Sequence, residues 1–155
     1  MEKFTGKVWV LGDDIDTDII IPTEYLALKT IDDMKQYGFS PLRPELAGQI
    51  QKGDIIVAGK NFGCGSSREQ APEIIKAMGV QCVIAKSFAR IFFRNSINNG
   101  LLLIEQPDLY DDMKEGDEIT VVMNEHVDYN GKEYSIASLP ENLMSIIPVS
   151  YTHLT

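Results

Sequence analysis

A glycine-rich segment holds the residues of this sequence that are best suited to chemistry. Its letters, at residues 61–72, are NFGCGSSREQAP, and they follow the apolar run Ile55–Ala58. This order predicts a strand, a tight turn and a helix start, where backbone N–H groups and the helix dipole favour an anion. Arg68 adds a planar cation suited to a carboxylate. We therefore expect a small-anion site with the hydroxyls of Ser66 and Ser67 beside it.

Spacing alone leaves a second interpretation of this segment open. An ordinary glycine turn before a capped helix explains the pattern equally well. The Walker A motif is absent because no Gly-Lys-Ser/Thr follows the glycines. The nucleophile elbow Gly-x-Ser-x-Gly is absent as well. Cys64, inside the turn, is more typical of a small buried residue than of a reactive thiol.

An acidic segment, DDIDTD at residues 13–18, could supply a second set of functional groups. It resembles the start of an EF-hand loop, but Ile19–Ile21 stand where further calcium ligands would be needed. A solvated turn is therefore favoured, with an acid–base or orienting role for one aspartate as the alternative. Arg90 and Arg94 lie four residues apart on a predicted helix, where a solvated basic stripe is the simpler interpretation.

Composition excludes several classes of protein. The net charge of −9 argues against nucleic acid and against an anionic membrane surface as partners. No apolar run is long enough to span a membrane, and the first residues do not form a signal peptide, so we expect a cytoplasmic protein. Two cysteines cannot hold an iron–sulfur cluster, which needs three or four thiolates, and two histidines exclude a His-rich metal site. We expect no metal on this chain.

Strand and helix patterns alternate around these segments. Apolar runs predict the strands Lys7–Leu11, Asp54–Ala58, Gln81–Ala85 and Leu101–Ile104. Helices are predicted over Glu69–Met78 and Phe88–Asn98. The alternation indicates a parallel sheet layer with helices packed on it. The cap of the first helix is expected near Ser67–Glu69, because an earlier cap would place Pro72 too deep in the helix.

Other signals mark the edges of this layer. Thr30–Asp33 resembles a capping box, so a short helix should run to Tyr37 and stop at Gly38. After Pro107, strands are predicted over residues 117–123 and 127–136, with Asn130-Gly131 as a hairpin turn. The predicted fold is mixed α/β with a small antiparallel hairpin.

Three motifs, in this order along the chain, together resemble one family. They are DIDTD at residues 14–18, NFGCGSSRE at 61–69, and KSFARI at 86–91 followed by NGLL at 99–102. The chain resembles the small subunits of 3-isopropylmalate dehydratases and the swivel domain of the aconitase superfamily. The resemblance implies a swivelling β/β/α fold of the aconitase C-terminal type, as a single domain over residues 1–148.

The resemblance also implies a reaction and a partner. The reaction is the isomerisation of 2-isopropylmalate to 3-isopropylmalate in leucine biosynthesis, by loss and re-addition of water. A separate large subunit carries the [4Fe-4S] cluster, and this chain binds no cofactor. By position, the resemblance makes Ser66 the catalytic base and Asp18 an active-site aspartate. It makes Arg68 the clamp on a substrate carboxylate, with Ser67 adding a hydrogen bond.

Substrate choice is expected to depend on a short loop after the acidic segment. In related enzymes, an arginine at the third position of Tyr-Leu-x-x goes with the tricarboxylate substrate of homoaconitase. Here the loop ends in the apolar Ala27 and Leu28, which suit an isopropyl group and offer a third carboxylate no partner. Lys29 could supply a charge if the loop shifted. Homoaconitase is therefore kept as an alternative. Citraconate/citramalate and 2,3-dimethylmalate dehydratases are alternatives as well, because their substrates also carry small apolar groups.

Two further expectations concern the protein's class and its tail. A non-catalytic anion-binding module is the alternative to an enzyme, and it would need no iron–sulfur partner. The last seven residues, VSYTHLT at 149–155, read as a translation of a transposase adapter used in sequencing libraries. We therefore expect this tail to be non-native and His153 to have no function.

Overall fold

A single seven-stranded mixed sheet organises the protein. The computed structural model describes residues 3–65, 69–123 and 125–136. The strands are β1 (Lys3–Val10), β2 (Ile55–Ala58), β3 (Cys82–Ala85), β4 (Leu102–Glu105), β5 (Glu118–Val122), β6 (His126–Tyr129) and β7 (Lys132–Ser135). Their order in the sheet is β4-β3-β2-β1-β5-β6-β7. The predicted mixed sheet is confirmed, whereas the expected tail at 149–155 lies outside the described residues.

Strand β1 joins a parallel half of the sheet to an antiparallel half. Its residues 8–10 pair in parallel with β2, and β3 and β4 continue that half. Its residues 3–7 pair antiparallel with β5, which is followed by β6 and β7. The predicted start of this strand, at Lys7, was therefore four residues late. Gly6 weakens the strand pattern in this segment, because glycine is a poor strand former. The structure nevertheless favours glycine there, since a Cβ at this position would overlap the carbonyl oxygen of Gly53.

Two longer helices cover one face of the parallel half, whereas the short helix Leu109–Asp112 packs on the other face. The α-helices are α1 (Thr17–Ile20), α2 (Ile31–Met34), α3 (Leu46–Gln49), α4 (Gln70–Ala77), α5 (Arg90–Asn98) and α6 (Leu109–Asp112), and Thr23–Ala27 and Lys35–Tyr37 form 3₁₀ helices. Helices α4 and α5 each connect two neighbouring parallel strands, as in a βαβ unit. None of the helices within the described ranges is long and apolar enough to cross a membrane.

Two apolar clusters lie on opposite faces of the parallel strands. Ile56 and Val83 belong to the cluster under α4 and α5. Their neighbours Ile55 and Ile84 belong to the other cluster, with Val121 and further side chains of the antiparallel half. Because successive strand residues point to opposite faces, the short parallel strands are buried on both sides. The sheet must therefore curl so that its antiparallel half covers the second face.

Local signals explain where several elements begin and end. Glu69 is the N-cap of α4, so Pro72 is its third residue, where the missing N–H leaves no intrahelical bond unmade. The Thr30 hydroxyl accepts a hydrogen bond from the Asp33 N–H at 3.1 Å, which confirms the first half of the predicted capping box. Asn130 and Gly131 have φ values of 53° and 82°, as a tight hairpin turn requires.

Candidate active site

Two loops at the carboxyl ends of β1 and β2 are hydrogen-bonded to each other along their length. The N–H of Asp14 donates to the carbonyl of Lys60 at 2.7 Å, and the N–H of Gly63 to the carbonyl of Ile15 at 2.7 Å. The N–H of Thr17 donates to the carbonyl of Cys64 at 2.9 Å. The acidic segment and the glycine-rich segment, which are far apart in sequence, therefore form one surface.

Side chains reinforce this pairing. The Asp13 carboxylate accepts the N–H of Lys60 at 2.8 Å, and the Asn61 amide donates to Asp14 at 3.1 Å. A Cβ on Gly59 would overlap the Asp13 carboxylate, so a larger residue there would displace that side chain from its hydrogen bond to Lys60. Two of the acidic residues thus fix the loops in place, which is more than the solvated turn favoured from spacing.

The loop after β3 joins the pair through one serine. The Ser87 hydroxyl accepts the N–H of Asn61 at 2.9 Å, and its carbonyl accepts the N–H of Phe62 at 3.0 Å. Gly63 has a φ of 84°, and a Cβ there would overlap the ring of Phe92 on α5. Three loops therefore meet at the carboxyl ends of three adjacent parallel strands, β1, β2 and β3. This is the usual place for a site in an open parallel sheet.

Comparison with known proteins shows the family of this chain. The family model of the aconitase C-terminal domain matches residues 18–109. The 3-isopropylmalate dehydratase small subunit of Lachnospira eligens is 77% identical over 146 residues, which are 94% of this chain and 89% of that relative. The chain belongs to the family of 3-isopropylmalate dehydratase small subunits. It is therefore a subunit of a dehydratase, a hydro-lyase.

Further relatives and a solved structure agree with this family. The 3-isopropylmalate dehydratase small subunit 1 of Archaeoglobus fulgidus is 50% identical, with 92% of this chain and 89% of the relative covered. The crystal structure of the 3-isopropylmalate dehydratase from Methanocaldococcus jannaschii superposes with a TM-score of 0.87 at 37% identity. That match covers 98% of this chain and 94% of the solved one. The expected aconitase-type fold is confirmed.

Of the residues that the sequence assigned to the site, three lie in the described part of the chain. Asp18 is exposed at the second position of α1, directly after the bond between Thr17 and Cys64. Ala27 ends the 3₁₀ helix Thr23–Ala27, and Leu28 is its C-cap. Ser66, Ser67 and Arg68 lie outside the described residues, between Gly65 and Glu69. Their roles stay predictions.

The structure joins only some of these residues into one unit. Hydrogen bonds connect the segment of Asp18 to the glycine-rich segment. Within the described ranges, no hydrogen bond connects Ala27 or Leu28 to either loop. They lie beside Tyr25, whose ring stacks on that of Tyr37 with centroids 4.0 Å apart. Leu28 also packs against the apolar cluster under α4 and α5.

Three residues with structural roles at the site were not assigned one from the sequence. Asp16 is the N-cap of α1 and accepts the Ile19 N–H at 2.8 Å, a role that its position before a short apolar run could have suggested. Asn61 has a φ of 59°, a conformation that asparagine tolerates better than most residues. The hydrogen bond accepted by Ser87 carries no local sequence signal, because its partner is 26 residues away.

The two cysteine thiols of this chain are in environments that oppose ionisation. Cys82 is fully buried in β3, and this burial strongly raises the pKa of its thiol. Burial also raises the pKa of the half-buried Cys64, and the charges of Asp16 and Asp14 add to that shift. A [4Fe-4S] cluster needs three or four cysteine thiolates, whereas the sequence has two cysteines, of which Cys82 is fully buried in β3. The residues present do not fit an iron–sulfur cluster.

Lys86, directly after β3, is a charged residue beside the loop pair. Lys86 donates to Asp111 at 2.9 Å, and this hydrogen bond is the main cause of its raised pKa, with a smaller contribution from Asp13.

On the outer face of the antiparallel half, His126, Asp128 and Glu133 bring three possible metal-ligand atoms within 4.8 Å of one another. The His126 Nε2 atom lies 3.1 Å from a carboxylate oxygen of Asp128, and exposed acidic groups of this kind are common without a metal.

Proposed function

We propose that this chain is the small subunit of a 3-isopropylmalate dehydratase that isomerises 2-isopropylmalate to 3-isopropylmalate in leucine biosynthesis. Water is lost to give an unsaturated diacid and is then added back with the opposite regiochemistry. The observation that carries the proposal is the 77% identity to a small subunit of that name over 94% of the chain. The hydrogen-bonded loop pair supports it by providing a rigid base for Asp18 and for the segment between Gly65 and Glu69.

The proposed division of labour places proton transfer and substrate binding on this chain. Ser66 takes the proton from the substrate carbon, and Arg68 holds a carboxylate through its planar pair of donors. Ser67 adds a hydrogen bond, and Asp18 orients the reacting groups. Because the thiols of this chain do not fit a cluster, the [4Fe-4S] cluster belongs to a large partner subunit. We expect this chain to work in the cytoplasm with that subunit, and we expect neither nucleic acid nor a membrane as a partner.

The chemistry of serine implies that the partner is required. A serine hydroxyl ionises many pKa units above neutrality, and each unit corresponds to about 1.36 kcal/mol. A helix N-terminus supplies about 2 kcal/mol at most, which shifts a pKa by little more than one unit. Further charge and a closed site without water must therefore come from the large subunit.

Reconstitution tests this proposal directly. We expect the chain alone to show no turnover of 2-isopropylmalate, and the chain with the cluster-loaded large subunit to be active. Ser66→Ala should lower kcat of the pair by about 10²–10⁴-fold, the usual contribution of a general base. Ser135→Ala, at an exposed position of β7, is the matched control and should leave kcat unchanged. Turnover by the purified chain alone would overturn the proposed division of labour.

The proposed substrate rests on the apolar end of the loop at Ala27 and Leu28. A third carboxylate placed against these side chains would lose water without gaining a partner. We expect kcat/KM of the reconstituted pair to be at least about a hundredfold higher for 2-isopropylmalate than for homocitrate. Faster turnover of homocitrate would make the chain a homoaconitase subunit instead. Carboxylate binding by the lone chain, without turnover by the pair, would favour the non-catalytic module.

A further inference from the structure

We propose that Tyr37 is a positioning residue for substrate selection, because its ring holds Tyr25 and thereby the loop that presents Ala27 and Leu28. The inference rests on the proposed function, which assigns substrate choice to that loop. Tyr37 is not expected to touch the substrate. Its role is to fix the orientation of the residues that do.

The contact between the two tyrosine rings is close and parallel. Their centroids are 4.0 Å apart and their planes differ by 3°. Tyr25 is the middle residue of the 3₁₀ helix Thr23–Ala27, and its carbonyl accepts the N–H of Leu28 at 3.1 Å. A displacement of Tyr25 as a whole would therefore move the backbone that carries Ala27 and Leu28.

The 3₁₀ helix Thr23–Ala27 is held by partly buried side chains, since Tyr25 and Leu26 pack against the apolar cluster under α4 and α5. None of its residues is buried, and its N-cap, Pro22, provides no side-chain hydrogen bond. A 3₁₀ helix also has poorer hydrogen-bond geometry than an α-helix, so it depends more on its packing. Stacking against a fixed aromatic ring is a specific restraint on such an element.

Tyr37 can act as that fixed ring because the next two residues are held by the core. A Cβ on Gly38 would lie 2.6 Å from the sulfur of Met78, so the backbone rests directly on the end of α4. Phe39 is completely buried, and its N–H donates to the carbonyl of Ile20 at 3.0 Å. Ile20 ends α1, the helix that carries Asp18. The stack therefore connects the loop that carries Ala27, through the segment Tyr37–Phe39, to the end of the helix that carries Asp18.

Hydrogen exchange of the full chain tests the stack independently of catalysis. In Tyr37→Ala, amide exchange over residues 25–28 should accelerate by about two- to tenfold, since an aromatic pair is worth about 0.5–1.5 kcal/mol. Tyr37→Phe keeps the ring and should exchange like the wild type. Leu42→Ala is the matched control, because Leu42 is 42% exposed and Tyr37 is 38% exposed. Unchanged exchange over residues 25–28 in Tyr37→Ala would overturn the proposal.

Kinetics of the reconstituted pair test the consequence for selection. Tyr37→Ala should raise KM for 2-isopropylmalate by about two- to tenfold while kcat stays within about twofold. KM for 2-methylmalate should change less, because its smaller group makes fewer contacts with the loop. Tyr37→Phe should restore both values. An equal rise of KM for both substrates, or a loss confined to kcat, would contradict a role in selection.

The two experiments separate this inference from the proposed function. If the wild-type pair fails to turn over 2-isopropylmalate, the proposed function fails and the role in selection fails with it. The exchange result then still decides whether the stack orders the loop. If the wild-type pair is active and Tyr37→Ala matches it in both experiments, only the inference about Tyr37 is overturned.

Discussion

Both halves of the sheet have backbone ladders between their strands, but the most prominent contacts outside these ladders differ. In the parallel half, the loops that build the candidate site are joined mainly by backbone hydrogen bonds, such as that from Asp14 to Lys60. In the antiparallel half, side chains on neighbouring elements make prominent contacts, as between Thr5 and Thr120 at 2.8 Å. Backbone contacts demand a particular chain geometry, whereas exposed side-chain contacts can be exchanged with water. The site half should therefore tolerate substitution less well.

Two glycines, one in each half, provide the test with the largest expected effect. Gly63 in the site half and Gly131 in the hairpin have nearly the same φ, 84° and 82°. A Cβ at Gly63 would overlap the Phe92 ring, whereas a Cβ at Gly131 would meet nothing within 4 Å. We expect Gly63→Ala to lower the free energy of unfolding by about 2–4 kcal/mol, from strain and overpacking together. Urea unfolding measures this loss.

Gly131→Ala is the control, because it carries the backbone strain without the overlap. It should cost about 1–2 kcal/mol and leave kcat/KM of the reconstituted pair unchanged. Gly63→Ala should also lower kcat/KM, since the shifted loop carries the segment that leads to Ser66. Equal losses of stability in the two variants would contradict the contrast between the halves.

Two hydroxyl groups, one in each half, provide a second test with a smaller expected effect. Ser87→Ala removes the acceptor for the Asn61 N–H and should lower the free energy of unfolding by about 0.5–1.5 kcal/mol. Thr120→Val removes the exposed bond to Thr5 but keeps a good strand former, so its effect should stay within about 0.5 kcal/mol. Urea unfolding of both variants, with kcat/KM of the pairs, measures the difference. A larger effect of Thr120→Val than of Ser87→Ala would contradict the contrast.

Most of the fold could be predicted from local patterns. The alternation of apolar strands with the helices later seen as α4 and α5 was sufficient to predict the parallel half, and Asn130-Gly131 predicted the hairpin. The first half of β1 was missed because its strand character depends on pairing with β5, which is more than 100 residues away. Long-range pairing of this kind leaves only a weak trace in a short segment.

The candidate site was less predictable than the fold. The residue types in NFGCGSSRE predicted an anion site, but spacing could not show that Asp13 and Asp14 hold the same loop. The role of Ser87 and the stack of Tyr25 on Tyr37 likewise depend on contacts between distant or separately folded segments. Local sequence determines which groups are available, and the tertiary fold determines which of them meet.

The smallest expected effect concerns a buried tyrosine of the antiparallel half. The Tyr134 hydroxyl donates to Asp112 at 2.6 Å, and Tyr134→Phe should lower the free energy of unfolding by about 0.5–1 kcal/mol at neutral pH. Burial, and then this hydrogen bond, raise the pKa of Tyr134 from 10.0 to about 12. The folded state therefore favours the neutral phenol. Its contribution is complete below pH 10.0 and is lost as the pH rises through about 12.

Asp112 sets the acid limit of the same contribution. The hydrogen bond from Tyr134, and then the charge of Lys132, lower the pKa of Asp112 below its ordinary value of 3.8. The stability gained from that carboxylate is present above pH 3.8 and is lost as the pH falls through the lowered pKa. The difference between the wild type and Tyr134→Phe should thus be largest between pH 3.8 and 10.0 and shrink on both sides. Urea unfolding across this range, with Thr120→Val as a variant whose difference stays flat, would show it; a difference independent of pH would mean that the hydroxyl and the carboxylate do not interact.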